Sequence, residues 1–146
     1  MQTFMPEPSF KDSLAVLDDK RLGKQRVETK QILRAIRGET IGWRNHPATL
    51  MWVGYEGALA RYGYVSCNIW SLRGFDDTLR EYFLHVIRNA DHTEMPPWFG
   101  YMPFHISHRS NLVRKDPQHY RRFYPDVPDD LPYFWPTKSP LFADVG

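Results

Sequence analysis

One carboxylate set among cations is the first place where this sequence could do chemistry. Residues 17–28 read Leu17-Asp18-Asp19-Lys20-Arg21-Leu22-Gly23-Lys24-Gln25-Arg26-Val27-Glu28. On a helix turning ~100° per residue, Arg21, Lys24, Glu28 and Gln31 share one stripe beside an apolar face. Glu28 there is either a surface ion-pair partner of Lys24 or a carboxylate kept for acid–base work. Lys before Glu is the less favourable order for a helical pair, which keeps the second reading open. Residues 18–37 hold seven Lys/Arg against three acids, and 105–122 hold five against one, on a chain of net charge +2. Two basic segments on an otherwise acidic chain can meet as one stripe for a polyanion, or remain two solvated helix faces.

The other reactive side chains are weaker signals. His105 and His108, three apart, can share a helix face, but two ligands without a nearby carboxylate make no metal site, and no metal is expected. His108, beside Arg109, either contacts a phosphate or substrate pocket or packs and caps a helix. His46 precedes Pro47 and divides between helix capping and a substrate pocket. Neither stands beside a convincing Ser or Cys nucleophile. Cys67, among Val65, Ile69 and Trp70, reads as a small buried hydrophobe.

The elements that must position these groups are helical. Ser9 with Asp12 caps a short first turn; Asp18 or Asp19 starts a helix that Gly38 ends, with Leu22, Thr29, Ile32, Leu33 and Ile36 on one face. His46-Pro47 opens a long second helix to Trp70, stopped by Gly74. Its Gly54, Gly57 and Gly63 imply close approach by another backbone and a central place. Asp76-Asp77-Thr78 caps a third, with Leu79, Phe83, Val86 and Ile87 inward. A loop over 91–104 precedes short helices at 105–115 and 117–124. Leu131-Pro132-Tyr133-Phe134-Trp135-Pro136 is too rich in proline for a helix or inner strand and reads as an extended strap. The expectation is one all-α domain over residues 1–146, with three main helices, short C-terminal helices, the strap and a frayed tail at 137–146.

Composition bounds the function. With 146 residues, 42% hydrophobic, the chain suits one domain with a true core. One cysteine excludes an internal disulfide framework. No apolar run approaches the ~18 residues of a membrane span, and the N-terminus lacks the pattern of a secretory signal. A cytoplasmic monomer is expected. The 22 aromatic side chains, 15% of the chain, imply that some rings lie near the surface. Trp43, Trp98, Tyr120 and the 133–135 cluster are the better candidates for such rings, whose flat faces suit stacking on bases or sugars; Trp52, Tyr55, Tyr62 and Trp70 read as core.

Leu17-Asp18, Arg21-Leu22 and Glu28, near the N-terminus, resemble the pyrimidine-dimer DNA glycosylase family of the phage endonuclease V type. His46-Pro47 opening a long helix, Leu72-Arg73-Gly74-Phe75, Lys115-Asp116-Pro117, Tyr120 and the aromatic C-terminus extend the resemblance. The run from Leu17 to Glu28 with Asn45-His46-Pro47 is similar to uncharacterised bacterial relatives over nearly the whole chain. The resemblance implies an enzyme that flips a damaged or modified base, such as a pyrimidine dimer, out of double-stranded DNA, cleaves the glycosidic bond and nicks the strand as an abasic-site lyase. It implies an N-terminal amine as nucleophile and Glu28 as the essential carboxylate. Gln2 is too large for ordinary Met removal, so the amine is that of Met1. α-Amines lose their proton about two pH units below lysine side chains, which suits Schiff-base chemistry near neutrality. Arg21, Lys24, Arg26, Arg109, Arg114 and Lys115 would clamp phosphates, and His46 and His108 would line the substrate pocket. No cofactor is implied. The alternatives are a monofunctional glycosylase using Glu28 and water, a non-catalytic nucleic-acid-binding module on the same fold, and a protein-interaction or small-nucleotide enzyme.

Overall fold

Each helix starts and stops where its sequence supplies a partner for the orphan backbone groups. In the computed structural model, which describes residues 1–139 and 141, Ser9 accepts from the Asp12 N–H at 3.2 Å and begins α1 (Phe10–Ala15). Asp18 accepts from the Arg21 N–H at 3.3 Å and begins α2 (Asp19–Ile36). Gly38, at φ 76°, closes α2. Its N–H reaches the Ala35 carbonyl, and the Glu39 N–H reaches that of Arg34. Leu22, Thr29, Ile32 and Leu33 are fully buried on the expected face.

The second helix is divided. α3 (Pro47–Leu50) and α4 (Glu56–Leu72) are separated by a turn in which Gly54 takes φ 87°. The turn accompanies full burial of Trp52, whose indole N–H donates to Thr3 Oγ1 at 3.1 Å. α4 is central as expected, packing on α2 and on α5 (Arg80–Asn89). A Cβ on Gly57 would lie 2.2 Å from the His92 carbonyl oxygen, and one on Gly63 would lie 2.4 Å from the Phe83 ring. α5 begins where Asp77 Oδ2 accepts from Leu79 and Arg80 N–H groups.

α6 (Met102–Lys115) starts three residues earlier than expected, with Pro103 in the first turn where its missing N–H is harmless. α7 (Pro117–Tyr120) is shorter than expected, giving way to turns after Tyr120. The strap runs without regular structure along α6: Leu131 N–H donates to Ser110 Oγ and Phe134 N–H to Ser107 Oγ. A short 3-10 turn, Pro136–Lys138, occupies the start of the expected tail. Residues 140 and 142–146 of that tail lie outside the described residues. Among the described residues there is no strand, and no helix is long and apolar enough to cross a membrane. The chain is all-α.

The buried N-terminus was not expected from the sequence. Gln2, Thr3, Phe4 and Met5 run through the centre of the molecule at no more than 7% exposure, and Phe4 and Met5 join the main core.

Candidate active site

An arm that belongs to no helix must satisfy its backbone through side chains. Gln25, buried on α2, takes most of that work. Its Oε1 accepts from the Phe4 N–H at 2.9 Å, and its Nε2 donates to the Gln2 carbonyl at 3.0 Å. The Tyr62 hydroxyl lies 2.8 Å from the Phe4 carbonyl and 2.7 Å from Gln25 Oε1. Further along, Met5 is held at both ends of its residue: its N–H donates to His108 Nδ1 at 2.9 Å, and His105 Nδ1 lies 2.8 Å from its carbonyl. The Gly100 N–H donates to His105 Nε2, so the His105 proton sits on Nδ1 and is given to Met5.

The arm delivers its first residues to Glu28. The Gln2 N–H lies 3.4 Å from Glu28 Oε2. Met1, Gln2, Phe4 and Glu28 line one cleft of about 320 Å³, with Lys20, Arg21, Lys24 and Lys115 supplying cations and Gln25 and Tyr133 completing the wall. Glu28 makes no ion pair with Lys24 among the described residues. The two basic segments do meet, with Lys115 of α6 facing the cations of α2 across this cleft.

The surrounding polar groups are tuned by burial. Burial raises the Tyr133 pKa to about 12, assisted by Glu28 and opposed by Arg114 and Arg21, so its hydroxyl remains a proton donor. Burial also lowers the His46 pKa; the N-terminal amine pushes the same way and Glu28 opposes them. His46 therefore lies within the fields of both candidate catalytic groups. Its Nδ1 accepts from the Ala48 N–H at 3.0 Å, so the capping role holds, and its ring stands edge-on to Trp43 and Trp135. His108 is fully buried, with its pKa pushed down to about 3 by burial and then by His105. It does not line the cleft; it anchors the arm.

Three arginines expected at the phosphates are engaged elsewhere. Arg26 places Nε and an NH2 nitrogen 2.9 and 2.7 Å from Asp77 Oδ1, in a buried pair beneath Trp70. Burial opposes ionisation of Asp77, but hydrogen bonds from Cys67, Arg26 and the α5 backbone outweigh it and lower its pKa. Arg109 donates to the Pro6 carbonyl and to Glu7, over the ring of Tyr124. Arg114 holds the Asp129 carbonyl and Asn111. Of the six expected clamp residues, the cleft brings together Arg21, Lys24 and Lys115, and adds Lys20.

Two candidate aromatics are structural. Trp98, 3% exposed, donates to the Met51 carbonyl at 3.1 Å. Tyr120 is fully buried, accepts from the Asp18 N–H and hydrogen-bonds the Asp18 carboxylate. Burial would raise the Asp18 pKa, yet Tyr120 and Arg21 win and lower it, keeping the α2 cap charged. Cys67 is buried as expected, its thiol pushed up to about 12 by burial and by Asp77.

Gln25 and Lys20 are functional candidates that sequence reasoning passed over. The signal for Gln25 was present: a polar amide on the buried face of α2, three residues before Glu28.

No curated protein and no solved structure matches the chain. A family model described as pyrimidine dimer DNA glycosylase matches residues 1–82. That span is more than half of the chain and contains the arm, Gln25, Glu28 and three of the four cleft cations. The chain belongs to the pyrimidine dimer DNA glycosylase family.

Proposed function

We propose that this protein is a bifunctional DNA glycosylase and abasic-site lyase in which the Met1 amine is the nucleophile and Glu28 the essential carboxylate. The observation that carries this reading is the Gln2 N–H 3.4 Å from Glu28 Oε2, with Met1 in the same cleft.

In this reading the target nucleotide of duplex DNA is flipped toward the cleft, and Lys20, Arg21, Lys24 and Lys115 hold its flanking phosphates. The neutral amine attacks C1′ as the glycosidic C1′–N bond breaks. Glu28 stabilises the positive charge developing on the sugar, and the departing base takes up the proton released by the newly bonded amine nitrogen. The adduct opens to an iminium between Met1 and C1′. Glu28 then takes a proton from C2′, the C3′–O bond breaks, and the 3′ phosphate leaves on the nicked strand. Water hydrolyses the iminium and frees the amine. Tyr133 is a neutral donor for the base or sugar, whereas His46, expected in the pocket, caps α3 outside the cleft lining. A pyrimidine dimer is the substrate that family membership favours.

The test is excision and nicking of a duplex carrying one thymine dimer. The intact protein is expected to break the glycosidic bond of one thymine, which stays joined to its neighbour through the cyclobutane ring, and to cut the strand. Glu28→Gln is expected to lower the single-turnover rate by about 10³-fold while still binding the duplex. Full activity of Glu28→Gln would refute the mechanism.

A further inference from the structure

Trp43 is the most exposed of the tryptophans in the structure. It lies in the loop 39–46 between α2 and α3, 47% exposed, with φ 68°. A bulky residue in the left-handed region is an outlier, and such strain persists where the surroundings or a function hold it. Ile41 is 84% exposed, and Arg44 is exposed without an ion pair among the described residues. The Trp43 ring meets His46 edge-on at 5.5 Å between centroids, His46 meets Trp135 at 6.0 Å, and Trp135 meets Tyr133 of the cleft wall at 5.5 Å. Trp98 and Tyr120 are buried, and Tyr133 and Trp135 are half-buried against the core. Trp43 is therefore an exposed ring beside the catalytic cleft that makes no large contribution to the fold.

We propose that Trp43 is the wedge that enters the base stack at the gap left by the extruded nucleotide, with Arg44 on an adjacent phosphate. This inference rests on the cleft being the catalytic site. Extrusion breaks two stacking contacts, and a flat neutral indole restores them without reading sequence, because every base has a π-face. An exposed indole gains contact area there that water denies it, whereas a purely structural tryptophan would be buried. Arg44 contributes the sequence-independent phosphate charge that a wedge needs to stay seated.

The experiment uses a duplex with 2-aminopurine opposite a tetrahydrofuran abasic analogue, so that neither excision nor lesion identity enters. The intact protein is expected to quench the 2-aminopurine fluorescence on binding. Trp43→Ala is expected to abolish the quenching and weaken affinity for this duplex about tenfold, the scale of one base–aromatic stack. Its affinity for the fully paired duplex of the same sequence should stay unchanged, and Trp43→Phe should restore part of the quenching. Glu28→Gln should quench like the intact protein while losing strand nicking at a natural abasic site. Equal quenching and affinity by Trp43→Ala would overturn the wedge. Nicking retained by Glu28→Gln would instead overturn the catalytic reading and leave the wedge result standing.

Discussion

In the proposed mechanism Glu28 and the terminal amine act as a pair at one sugar. Met1 is tethered through Gln2, whose N–H already faces the carboxylate. Adding one glycine before Met1 displaces the amine by up to about 3.8 Å. Single-turnover lyase rates on a natural abasic site are expected to fall at least about 10²-fold in that variant, since positioning errors of one ångström already cost that much. Duplex affinity should hold, as the cations are untouched. Glu28 was legible in the sequence from its stripe and from the resemblance. Its separation from Lys24 was not, because helical spacing permits an ion pair that tertiary contact with the arm displaces.

At the scale of elements, α2 presents two faces with different tasks. One holds the arm through Gln25, and the other holds α5 through Arg26 and Asp77. Gln25→Met retains volume but strands the Phe4 N–H and Gln2 carbonyl, both buried. A destabilisation of about 2–4 kcal/mol is expected by urea denaturation, with a larger proportional loss in adduct formation than in DNA affinity. Asp77→Ala leaves the Arg26 guanidinium buried and alone and uncaps α5. It should cost about 3–5 kcal/mol and leave the salt dependence of DNA binding unchanged. Lys24→Ala and Lys115→Ala should each reduce the slope of log affinity against log salt by about 1. Charge counting along the sequence located both basic segments but could not separate Arg26 from Lys24, because the distinction lies in Asp77, 51 residues away. Helix caps were readable at Ser9, Asp18 and Gly38, where the signal is local. The break before α4 was not, because burial of Trp52 against Thr3 is a long-range contact.

Across the whole molecule the folding unit includes its own first five residues. Two buried histidines, His105 and His108, grip Met5, and both have pKa values lowered by burial. Unfolding releases them to bind protons near their ordinary value of 6.5. The unfolded state then holds more protons than the folded state between about pH 6.5 and the lowered values, about 3 for His108. Stability is therefore full above pH 6.5 and falls as pH drops, with a slope approaching about 1.4 kcal/mol per pH unit for each neutral buried histidine. The lowered pKa values of Asp18 and Asp77 add a further loss only below about pH 3.8, their ordinary value. Denaturation monitored from pH 7 to 4 should show this decline, and His108→Gln should flatten it. The helical class and the extended strap were legible because they follow from periodicity and proline, but the seating of the strap on α6 was not, because it rests on Ser107 and Ser110 far away in sequence. The buried arm was hidden because an extended segment carries no periodic signal, and its partners are side chains scattered over α2, α4 and α6.

The most direct measurement is borohydride reduction of the intact protein on a duplex with one natural abasic site, followed by peptide mass mapping of the adduct. The expected result is a single reduced sugar adduct on the Met1 amine, with strand cleavage in the absence of borohydride lost in Glu28→Gln. An adduct on a lysine of the cleft, or none from protein that binds the duplex, would contradict the assignment of the terminal amine as nucleophile.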